Sequence, residues 1–317
     1  MNKQELQSNK QVHVVAGATG AIGSAVVSEL KARNLNVIAV ERSKQAEGVE
    51  NRKADLLDLA QTRAAFKGAT HIYLCVAIPY DSKLWESQWP VVIKNVIQVT
   101  LEEKAKLVFL DNVYMYGPSL KVPFNESHLQ EPITKKGKVR KQVADMVLKA
   151  INEDHLNAVI GRSADFYGPK ALSSTFYISF LENILKGKNP QSLAKLHVPH
   201  TYSFTLDNGR ALVELGLSES TSGQVYHLPV SKPVTVTDIM AIFNSTLNTH
   251  FKATTVPGPL LSVLSMMVPV IKEAKEMVYQ FNNPYIMDDS KFRSQFPNFK
   301  TTSLEEGIRI MVKYFKK

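Results

Sequence analysis

The stretch Val12-His-Val-Val-Ala-Gly17-Ala-Thr-Gly20-Ala-Ile-Gly23 decides the fold of this chain. An apolar run ends in glycine, and regularly spaced glycines then open a segment with helical periodicity. Gly17 permits a tight turn, Gly20 lets a pyrophosphate approach the backbone, and Gly23 lets the helix pack closely on the strand. Because the amino end of that helix would face the phosphates, the stretch predicts a dinucleotide-binding turn. The predicted contacts in this turn are Gly17, Thr19, Gly20, Ala21, Ile22 and Gly23.

Short apolar strands alternate with amphipathic helices from residue 11 to about residue 165. We predict strands at 11–16, 36–40, 71–77, 106–110 and 156–160, and helices at 24–33, 60–67, 90–103 and 139–152. Strands separated by helices of this length form βαβ units with right-handed crossovers. The sequence therefore predicts an α/β fold with a doubly wound parallel sheet of the Rossmann type.

The alternation stops after Gly168-Pro169. Further helices are predicted at 175–185, 235–247, 260–281 and 303–315, with a strand at 225–228. We therefore predict a dinucleotide-binding domain at 1–168, a smaller substrate-binding lobe at 169–317 and a cleft between them. Residues 201–230 are expected to return to the sheet of the first domain.

The composition is that of a globular chain with a basic excess. Of 317 residues, 44% are apolar and 21% charged, and 38 basic against 29 acidic residues give a net charge of +9. Such a charge attracts phosphorylated small molecules as well as nucleic acid. The one dense basic cluster, at 135–141, has no interleaved aromatic residues. We expect a solvated helix start there and no nucleic-acid partner.

No segment predicts export or membrane insertion. The first ten residues contain no apolar stretch, which argues against a secretory signal. The longest apolar run, 259–271, is too short to span a bilayer. The single cysteine, Cys75, excludes an internal disulfide and fits a reducing compartment. We expect a cytoplasmic protein, monomeric or homodimeric, whose partner is a small-molecule substrate.

The residues after the second predicted strand bear on the form of the cofactor. Glu41 offers a carboxylate that can bind ribose hydroxyls, whereas Arg42, Ser43 and Lys44 can surround a 2′-phosphate. On these residues we favour NADP, with NAD as the alternative. A merely solvated role for Arg42 and Lys44 also stays open.

Two further pairs of residues are predicted to line the cofactor. Asp55-Leu56 follows a short stretch that can form the next strand, and Val76-Ala77 ends the strand after it. The Asp55 carboxylate can accept a hydrogen bond from the adenine amino group, or it can cap a helix. No metal site is predicted, because the only close histidine pair, His197-Val-Pro-His200, has no carboxylate or thiol near it in the sequence.

Seven short motifs follow one another along nearly the whole chain. They are Gly17-x-x-Gly20-x-x-Gly23, Asp55-Leu56, Asn95, Tyr116-Gly117, Lys141-Gln-Val-Ala-Asp145, Arg162-Ser-Ala-Asp-Phe-Tyr-Gly-Pro169 and Phe204-Thr-Leu-Asp207. In order and spacing they resemble the extended short-chain dehydrogenase/reductase family, also called the NAD-dependent epimerase/dehydratase family.

This resemblance implies a catalytic set of Ser or Thr, Tyr and Lys. In the family the tyrosine transfers a proton, and the lysine lowers the tyrosine pKa and holds the nicotinamide ribose. The lysine corresponds to Lys141, but Gly137 stands where the tyrosine is expected. Asn112 takes the place of the serine and can still donate a hydrogen bond. The candidate catalytic residues are Lys141, Asn112 and Tyr114, with the Tyr114 hydroxyl expected beside Lys141.

Several other polar residues near these motifs have open roles. Tyr116 and Tyr167 can replace the missing tyrosine, although packing is the alternative for every candidate tyrosine. Asp111 and Asp165 are expected to cap local backbone. Arg162 is expected to anchor the corner between a strand and its loop, and a contact with an anionic substrate is the open alternative.

Two functions follow from this combination. The first is an atypical NAD(P)-dependent oxidoreductase, epimerase or dehydratase that acts on a small carbonyl or hydroxyl compound without the family's active-site tyrosine. The alternative is a catalytically silent NAD(P)-binding redox sensor or interaction protein. Fold resemblance alone does not choose between them.

Overall fold

The computed structural model describes residues 11–118, 120–193, 195–257, 273 and 275–316. The strands are β1 (Val12–Ala16), β2 (Asn36–Glu41), β3 (Glu50–Lys53), β4 (His71–Leu74), β5 (Lys106–Asp111), β6 (Ala158–Arg162), β7 (Phe166–Tyr167), β8 (Gln191–Ser192), β9 (Ser203–Phe204), β10 (Val225–His227) and β11 (Thr254–Thr255). The α-helices are α1 (Ala21–Ala32), α2 (Leu59–Phe66), α3 (Ser82–Glu103), α4 (Lys135–Glu153), α5 (Glu182–Leu185), α6 (Thr205–Leu217), α7 (Val236–Leu247), α8 (Tyr279–Asn282), α9 (Ser290–Gln295) and α10 (Leu304–Phe315). A π-helical turn, Phe176–Leu181, leads into α5, and a 3-10 turn, Glu219–Thr221, follows α6.

Seven of the described strands form one parallel sheet in the order β10-β6-β5-β4-β1-β2-β3. The predicted doubly wound parallel sheet is therefore confirmed. The strand order reverses beside β1, which pairs with β2 on one side and β4 on the other. In open sheets of this kind, ligands bind at the carboxyl edge next to such a reversal. The glycine turn at the end of β1 lies at that place.

Helices cover both faces of the sheet. Helices α1 and α6 pack together on one face, and α3 and α4 pack together on the other. The core side chains include Val26, Leu30 and Leu212 on the first face and Val96, Val143 and Val147 on the second. The two layers bury apolar surface on both sides of the strands, as a parallel sheet requires.

Helix α6 is absent from the sequence-based prediction, because Asn208, Gly209 and Gly216 are weak helix formers. The structure explains both glycines. A Cβ on Gly209 would lie 2.4 Å from the Cβ of Ala25 in α1, and a Cβ on Gly216 would lie 2.4 Å from the Tyr73 hydroxyl oxygen. The close approach of α6 to α1 and to the sheet therefore requires residues that disfavour helix locally.

The remaining elements build a smaller apolar core outside the sheet. This core joins the π-helical turn, α7 and α10 through Phe176, Phe180, Phe243 and Ile308. The strand pairs β7–β9 and β8–β11 lie apart from the main sheet, whereas β10 returns to it and pairs with β6. Most of the helix predicted at 260–281 falls outside the described residues. No helix in the part of the chain that the structure describes is long and apolar enough to cross a membrane.

Helices α3 and α4 begin four or more residues earlier than the sequence predicts. Asp81 caps α3 by accepting a hydrogen bond from the Leu84 N–H (2.9 Å), so the helix starts well before Pro90 and contains that proline. Thr134 caps α4 in the same way through the Gly137 N–H (3.0 Å). Both caps precede the apolar periodicity from which the predictions were made. The cap of α4 places Lys136 and Gly137 in its first turn.

Candidate functional site

The glycine turn is a closely packed cradle at the end of β1. Gly17 has a φ of +82°, and a Cβ there would lie 2.6 Å from the Cys75 carbonyl carbon. A Cβ on Gly23 would lie 2.0 Å from the Gly17 carbonyl oxygen. The Gly17 N–H donates to the Val40 carbonyl oxygen (3.0 Å), which ties the turn to β2. These contacts leave bare backbone where a pyrophosphate would bind.

Helix α1 presents its amino end at this turn. The N-cap residue is Gly20, which has no side chain to accept hydrogen bonds from the first N–H groups of the helix. Ala21 is the first helical residue, and Ile22 is buried. Backbone N–H groups at a helix start attract phosphate. The contacts predicted at 17–23 thus lie together in one turn that suits an anion.

Glu41 ends β2 and contacts the glycine turn. Its Oε1 accepts hydrogen bonds from the Thr19 N–H (2.6 Å) and from the Thr19 hydroxyl (2.7 Å). Arg42, Ser43 and Lys44 are exposed beyond it. The acidic residue, rather than the basic residues that follow it, therefore meets the backbone of the turn.

The Asp55 carboxylate is used in a local turn. Its Oδ1 accepts a hydrogen bond from the Leu57 N–H (3.0 Å), and the N-cap of α2 is Asp58 instead. Leu56 is buried, and its carbonyl oxygen accepts a hydrogen bond from the Asn95 side-chain amide (2.9 Å). Of the two roles predicted for Asp55, helix capping is therefore wrong, and the adenine contact stays a prediction.

The exit of β4 borders the glycine turn. The backbone nitrogen of Val76 would lie 2.7 Å from a Cβ on Gly17. Val76 is half-buried and Ala77 is exposed. Burial raises the pKa of the Cys75 thiol to about 12, so this cysteine stays protonated. Val76 and Ala77 thus stand next to the turn that they are predicted to complete.

A cavity of about 950 Å³ opens beside the turn. Thr19 and Gly20 line one part of it, and Tyr314 and Phe315 from the end of α10 line another. Its charged lining residues are Lys31, Lys44, Glu47 and Lys170. The excess of lysines favours an anionic ligand, and the volume is typical of small-molecule pockets.

Lys136, near the start of α4, is fully buried. Its ammonium donates to the Ser82 hydroxyl (3.1 Å) and to the Glu276 carboxylate (3.0 Å), and it pairs with the Glu273 carboxylate. It also lies 4.3 Å from the centre of the Tyr80 ring. Partial burial acts to raise the pKa of Glu273, but hydrogen bonds from Lys136 and Ser82 outweigh it and lower that pKa. Every proton of Lys136 is therefore engaged.

Arg140, one turn further along α4, is buried beside Asp111 at the end of β5. Its Nε donates to Asp111 Oδ1 (2.9 Å), and its Nη2 pairs with the same oxygen. Arg162 Nε lies 3.5 Å from the other Asp111 oxygen, and Arg162 Nη1 donates to the Tyr116 hydroxyl (2.8 Å). That hydroxyl lies 2.7 Å from His227 Nε2. This network joins the carboxyl ends of β5, β6 and β10, so Arg162 anchors its corner as expected.

Lys141 lies on the outer face of α4, away from these buried residues. Its ammonium pairs with Asp145 (2.7 Å), and its side chain is 38% exposed. The predicted placement of Lys141 in the catalytic centre and at the nicotinamide ribose is therefore corrected. The buried basic residues four positions apart are Lys136 and Arg140, one residue earlier in the chain.

Gly137 is buried where the resemblance implies a tyrosine. A Cβ there would lie 2.5 Å from the Tyr114 carbonyl oxygen and 2.8 Å from the Thr134 hydroxyl oxygen. No side chain fits this position without moving the end of β5 or the cap of α4. The family's spacing of four instead falls on Lys136 and Arg140. A sign of this shift was present in the sequence, since positions 136, 140, 143 and 147 share one helical face.

Asn112 and Tyr114 lie together at the exit of β5. Asn112 Oδ1 accepts a hydrogen bond from the Tyr114 N–H (3.1 Å), so that oxygen is folded onto its own backbone. The Tyr114 hydroxyl hydrogen-bonds with Tyr80. Burial raises the pKa of Tyr114 well above its ordinary value, and the charges of Tyr80 and Asp165 add to the rise. The expectation that a neighbouring lysine lowers this pKa is therefore wrong.

Asp165 and His200 form a pair that the sequence does not reveal. His200 Nε2 lies 3.0 Å from Asp165 Oδ2, although the two residues are 35 positions apart. His200 Nδ1 is buried and has no hydrogen-bond partner in the described structure. Asp165 directly precedes β7, and the pairing of β7 with β9 brings it beside His200, so no local spacing predicts the pair. Among the described residues, no group of three or more His, Cys, Asp or Glu side chains is placed to hold a metal ion.

Comparison with known proteins adds a family assignment. The model of the NAD dependent epimerase/dehydratase family matches residues 13–219. These residues run from β1 to the 3-10 turn after α6 and include the glycine turn, α4 and Asp165. None of the curated proteins matches the chain.

Solved structures share this fold at low sequence identity. UDP-glucose 4-epimerase from Thermotoga maritima, solved with UDP-glucose, is 17% identical with a TM-score of 0.79, covering 96% of this chain and 99% of its own. WbmH from Bordetella bronchiseptica, solved with NAD+, is 17% identical with a TM-score of 0.76, and the coverages are 97% and 98%. UDP-glucose 4-epimerase from Thermus thermophilus, solved with NAD, is 18% identical with a TM-score of 0.77, and the coverages are 96% and 99%. The family model spans more than half of the chain, and the protein therefore belongs to the NAD-dependent epimerase/dehydratase family.

Proposed function

We propose that the protein binds NAD(P) at the glycine turn and acts as an oxidoreductase, epimerase or dehydratase on a small compound with a hydroxyl or carbonyl group. The observation that carries this proposal is the turn itself. Gly17 and Gly23 are packed against backbone, and α1 directs its amino end at the bare loop. A bound nicotinamide supplies hydride transfer, and the chain supplies binding, orientation and proton transfer.

Glu41 supports NAD over NADP. An acidic residue at the end of the second strand accepts hydrogen bonds from ribose hydroxyls and repels a 2′-phosphate. The contact of Glu41 with Thr19 holds this carboxylate against the turn, whereas Arg42 and Lys44 are exposed. We therefore propose NAD, against the preference for NADP that Arg42 and Lys44 suggest in the sequence. The NAD in the WbmH and Thermus structures fits this choice.

The substrate class follows less directly from the site. Thermotoga UDP-glucose 4-epimerase was solved with UDP-glucose, so a nucleotide sugar is one class to test. The basic cavity beside the glycine turn also favours a phosphorylated compound. We propose a small hydroxyl or carbonyl compound, with or without a nucleotide, as the substrate.

Calorimetric titration with NAD+, NADH, NADP+ and NADPH tests the cofactor proposal. We expect binding, with NAD forms bound more tightly than NADP forms. Turnover is then measured on a panel of alcohols, aldehydes, ketones and nucleotide sugars, by nicotinamide absorbance for net oxidation and by NMR of the products for epimerisation. No binding at millimolar cofactor overturns the proposal, and binding without turnover leaves only the binding function.

The ion pairs at the start of α4 favour a second function, a silent NAD(P)-binding sensor or interaction protein. The ammonium group of Lys136 has all its protons in contacts with Glu273, Glu276 and Ser82. Arg140 is buried against Asp111. Neither base is available for proton transfer in this arrangement. A sensor would show hydrogen-exchange changes on NAD binding around Lys136 together with no turnover on the panel.

A further inference from the structure

Asp165 lies beyond the carboxyl edge of the sheet, the edge at which open sheets of this kind bind ligands. Strands β5 and β6 are neighbours, with Asp111 paired to Arg162, and the Ser163 N–H donates to the Asp111 carbonyl oxygen (2.9 Å). Asp165 follows shortly after, so it stands beyond the same edge as Tyr114. Its side chain is 18% exposed, whereas that of Asp111 is fully buried. Asp165 is thus a carboxylate that solvent or a ligand can reach at this edge.

Tyrosines surround this carboxylate. Burial raises the pKa of each of them, and the Asp165 charge adds to the rise, which places Asp165 within electrostatic reach of all of them. They are Tyr80, Tyr114, Tyr202, Tyr279 and Tyr285. Phenols with raised pKa values hold their protons, so they donate hydrogen bonds but do not accept a proton at neutral pH. Asp165 is the carboxylate of this cluster, and carboxylates are common general bases.

The imidazole of His200 contacts the Asp165 carboxylate. Its ring is stacked between Phe281 (5.2 Å between ring centres, 15° between planes) and Tyr285 (5.2 Å, 18°). His200 Nε2 lies 3.0 Å from Asp165 Oδ2, and with its proton on Nε2 the ring donates a hydrogen bond to that oxygen. Nδ1 stays buried without a partner in the described structure, which costs about 1–3 kcal/mol. Unpaired polar atoms of this kind call for an explanation that packing does not give, and a functional role is one.

The basic residues near the family's catalytic position do not compete for this role. Lys136 and Arg140 are buried in ion pairs, and Lys141 pairs with Asp145 outside. The side chain of Tyr114 is hydrogen-bonded with that of Tyr80, and burial raises its pKa. An acid–base catalyst needs a group that can change protonation at the crevice, and Asp165 meets that requirement.

We propose that Asp165 is the proton-transfer residue of this site and that His200 is its positioning residue. This inference rests on the proposed function of a hydride-transferring enzyme. In the oxidising direction, the substrate hydroxyl gives its proton to Asp165 while its carbon loses a hydride to the nicotinamide of the bound cofactor, and a carbonyl group forms. In the reverse direction, the carbonyl carbon gains the hydride and Asp165 returns the proton to the oxygen.

Kinetics of five variants test this proposal on whichever panel substrate the wild-type protein turns over. Asp165→Asn should lower kcat about a hundredfold or more and leave KM and the NAD affinity within about threefold. Asp165→Gly should regain turnover when sodium formate supplies a small carboxylate, and Asp165→Asn should not. His200→Phe keeps the stacking but loses the Nε2 donor, so kcat should fall about tenfold. His200→Gln restores a donor and should recover most of that loss.

Asp289→Asn is the matched control. Asp289 is also a largely buried carboxylate, paired with Arg293 and bonded to the Val230 N–H (3.0 Å), and it has no place in the proposed chemistry. This variant should lose stability in urea denaturation without losing kcat. A kcat within threefold of wild type for Asp165→Asn overturns the role of Asp165 while the proposed function stands. A loss that formate does not rescue, and that tracks stability as in Asp289→Asn, overturns it equally. If the wild type binds NAD and turns over nothing on the panel, the proposed function fails and this inference fails with it.

Discussion

The glycine turn and the start of α4 are two regions of the candidate site that are built differently. At the glycine turn, function depends on backbone: Gly17 and Gly23 would place any Cβ against neighbouring backbone. At the start of α4, function in the family depends on side chains, and this chain has Lys136 and Arg140 there, both engaged in buried ion pairs. Backbone geometry admits few substitutions, whereas a side-chain role can pass to other residues. In this chain the glycine turn has a geometry that suits a pyrophosphate, whereas the basic residues at the start of α4 are held in buried ion pairs.

The largest expected effect separates two neighbouring residues of α4. Arg140→Met should cost about 3–5 kcal/mol of unfolding free energy, because it leaves the buried Asp111 carboxylate with Arg162 Nε at 3.5 Å as its remaining ion-pair partner. Lys141→Met should cost at most about 0.5 kcal/mol, because the pair with Asp145 is exposed. Urea denaturation followed by circular dichroism measures both. A loss of NAD affinity in Lys141→Met would restore the catalytic placement that the sequence suggests.

The next effect concerns two glycines of the turn. Gly17→Ala should cost about 1–2 kcal/mol for left-handed strain and about 1–3 kcal/mol more for overlap with the Cys75 backbone. Because the same backbone forms the cradle, NAD affinity should fall at least about tenfold. A Cβ on Gly20 meets only the Gly17 carbonyl oxygen at 3.3 Å. Gly20→Ala should therefore keep most of the stability and lose affinity, because it blocks approach of the pyrophosphate. Equal stability losses in both variants would contradict this account of the turn.

A smaller effect tests the choice of cofactor. Glu41→Gln should weaken NAD binding by about 1.5–3 kcal/mol, the usual value for a hydrogen bond to a charged group, and should weaken NADP binding less. Arg42→Ala should leave NAD affinity unchanged. Calorimetry with both cofactors measures the two ratios. A selective loss of NADPH affinity in Arg42→Ala, with no NAD loss in Glu41→Gln, would favour NADP as the sequence does.

The sequence predicts the glycine turn and the parallel sheet well because their signal is local. The glycines, the apolar strand before them and the helix after them are consecutive, and their order alone predicts the turn and, with the strands that follow, the parallel sheet. Local signals fail where distant packing decides. Helix α6 is not predicted because it contains Gly209 and Gly216, which disfavour helix. The structure needs glycine there because these positions pack closely against Ala25 and Tyr73, which are remote in the chain.

Around α4 and Asp165, two further physical reasons limit what the sequence can predict. The first is helical phase: the basic side chains of α4 that face inward are Lys136 and Arg140, one residue earlier than the pair that the motif suggests. The second is distance along the chain, because Asp165 and His200 meet only when β7 pairs with β9. The motifs of the family are residue types at fixed spacings. Such a pattern does not show which side of a helix is buried, and it does not show which distant residues come into contact.

The last expected effect is a pH dependence of stability that arises in β1 and β4, beneath the glycine turn. His13 in β1 and His71 in β4 stack with ring centres 4.5 Å apart. Burial, with the charge of His71, lowers the pKa of His13 to about 3, and burial, with the charge of Lys106, lowers that of His71 to about 4. Both values lie below the ordinary value of about 6.5, so the unfolded chain takes up protons first. Their contribution to stability is complete above about pH 6.5 and is lost as the pH falls towards 4.

Each such histidine should cost about 1.4 kcal/mol of unfolding free energy for every pH unit in that window. His71→Gln should therefore flatten the decline between pH 6.5 and 4.5 by about that amount per unit, after correction for the stability difference of the two proteins at pH 7.5. At the other end of the crevice, the lowered pKa of Glu273 means that its pair with Lys136 gives way only in stronger acid. Urea denaturation of both proteins at four pH values measures the slopes. Identical slopes would mean that His71 titrates alike in the folded and the unfolded protein, and the acid sensitivity would then have to come from other groups.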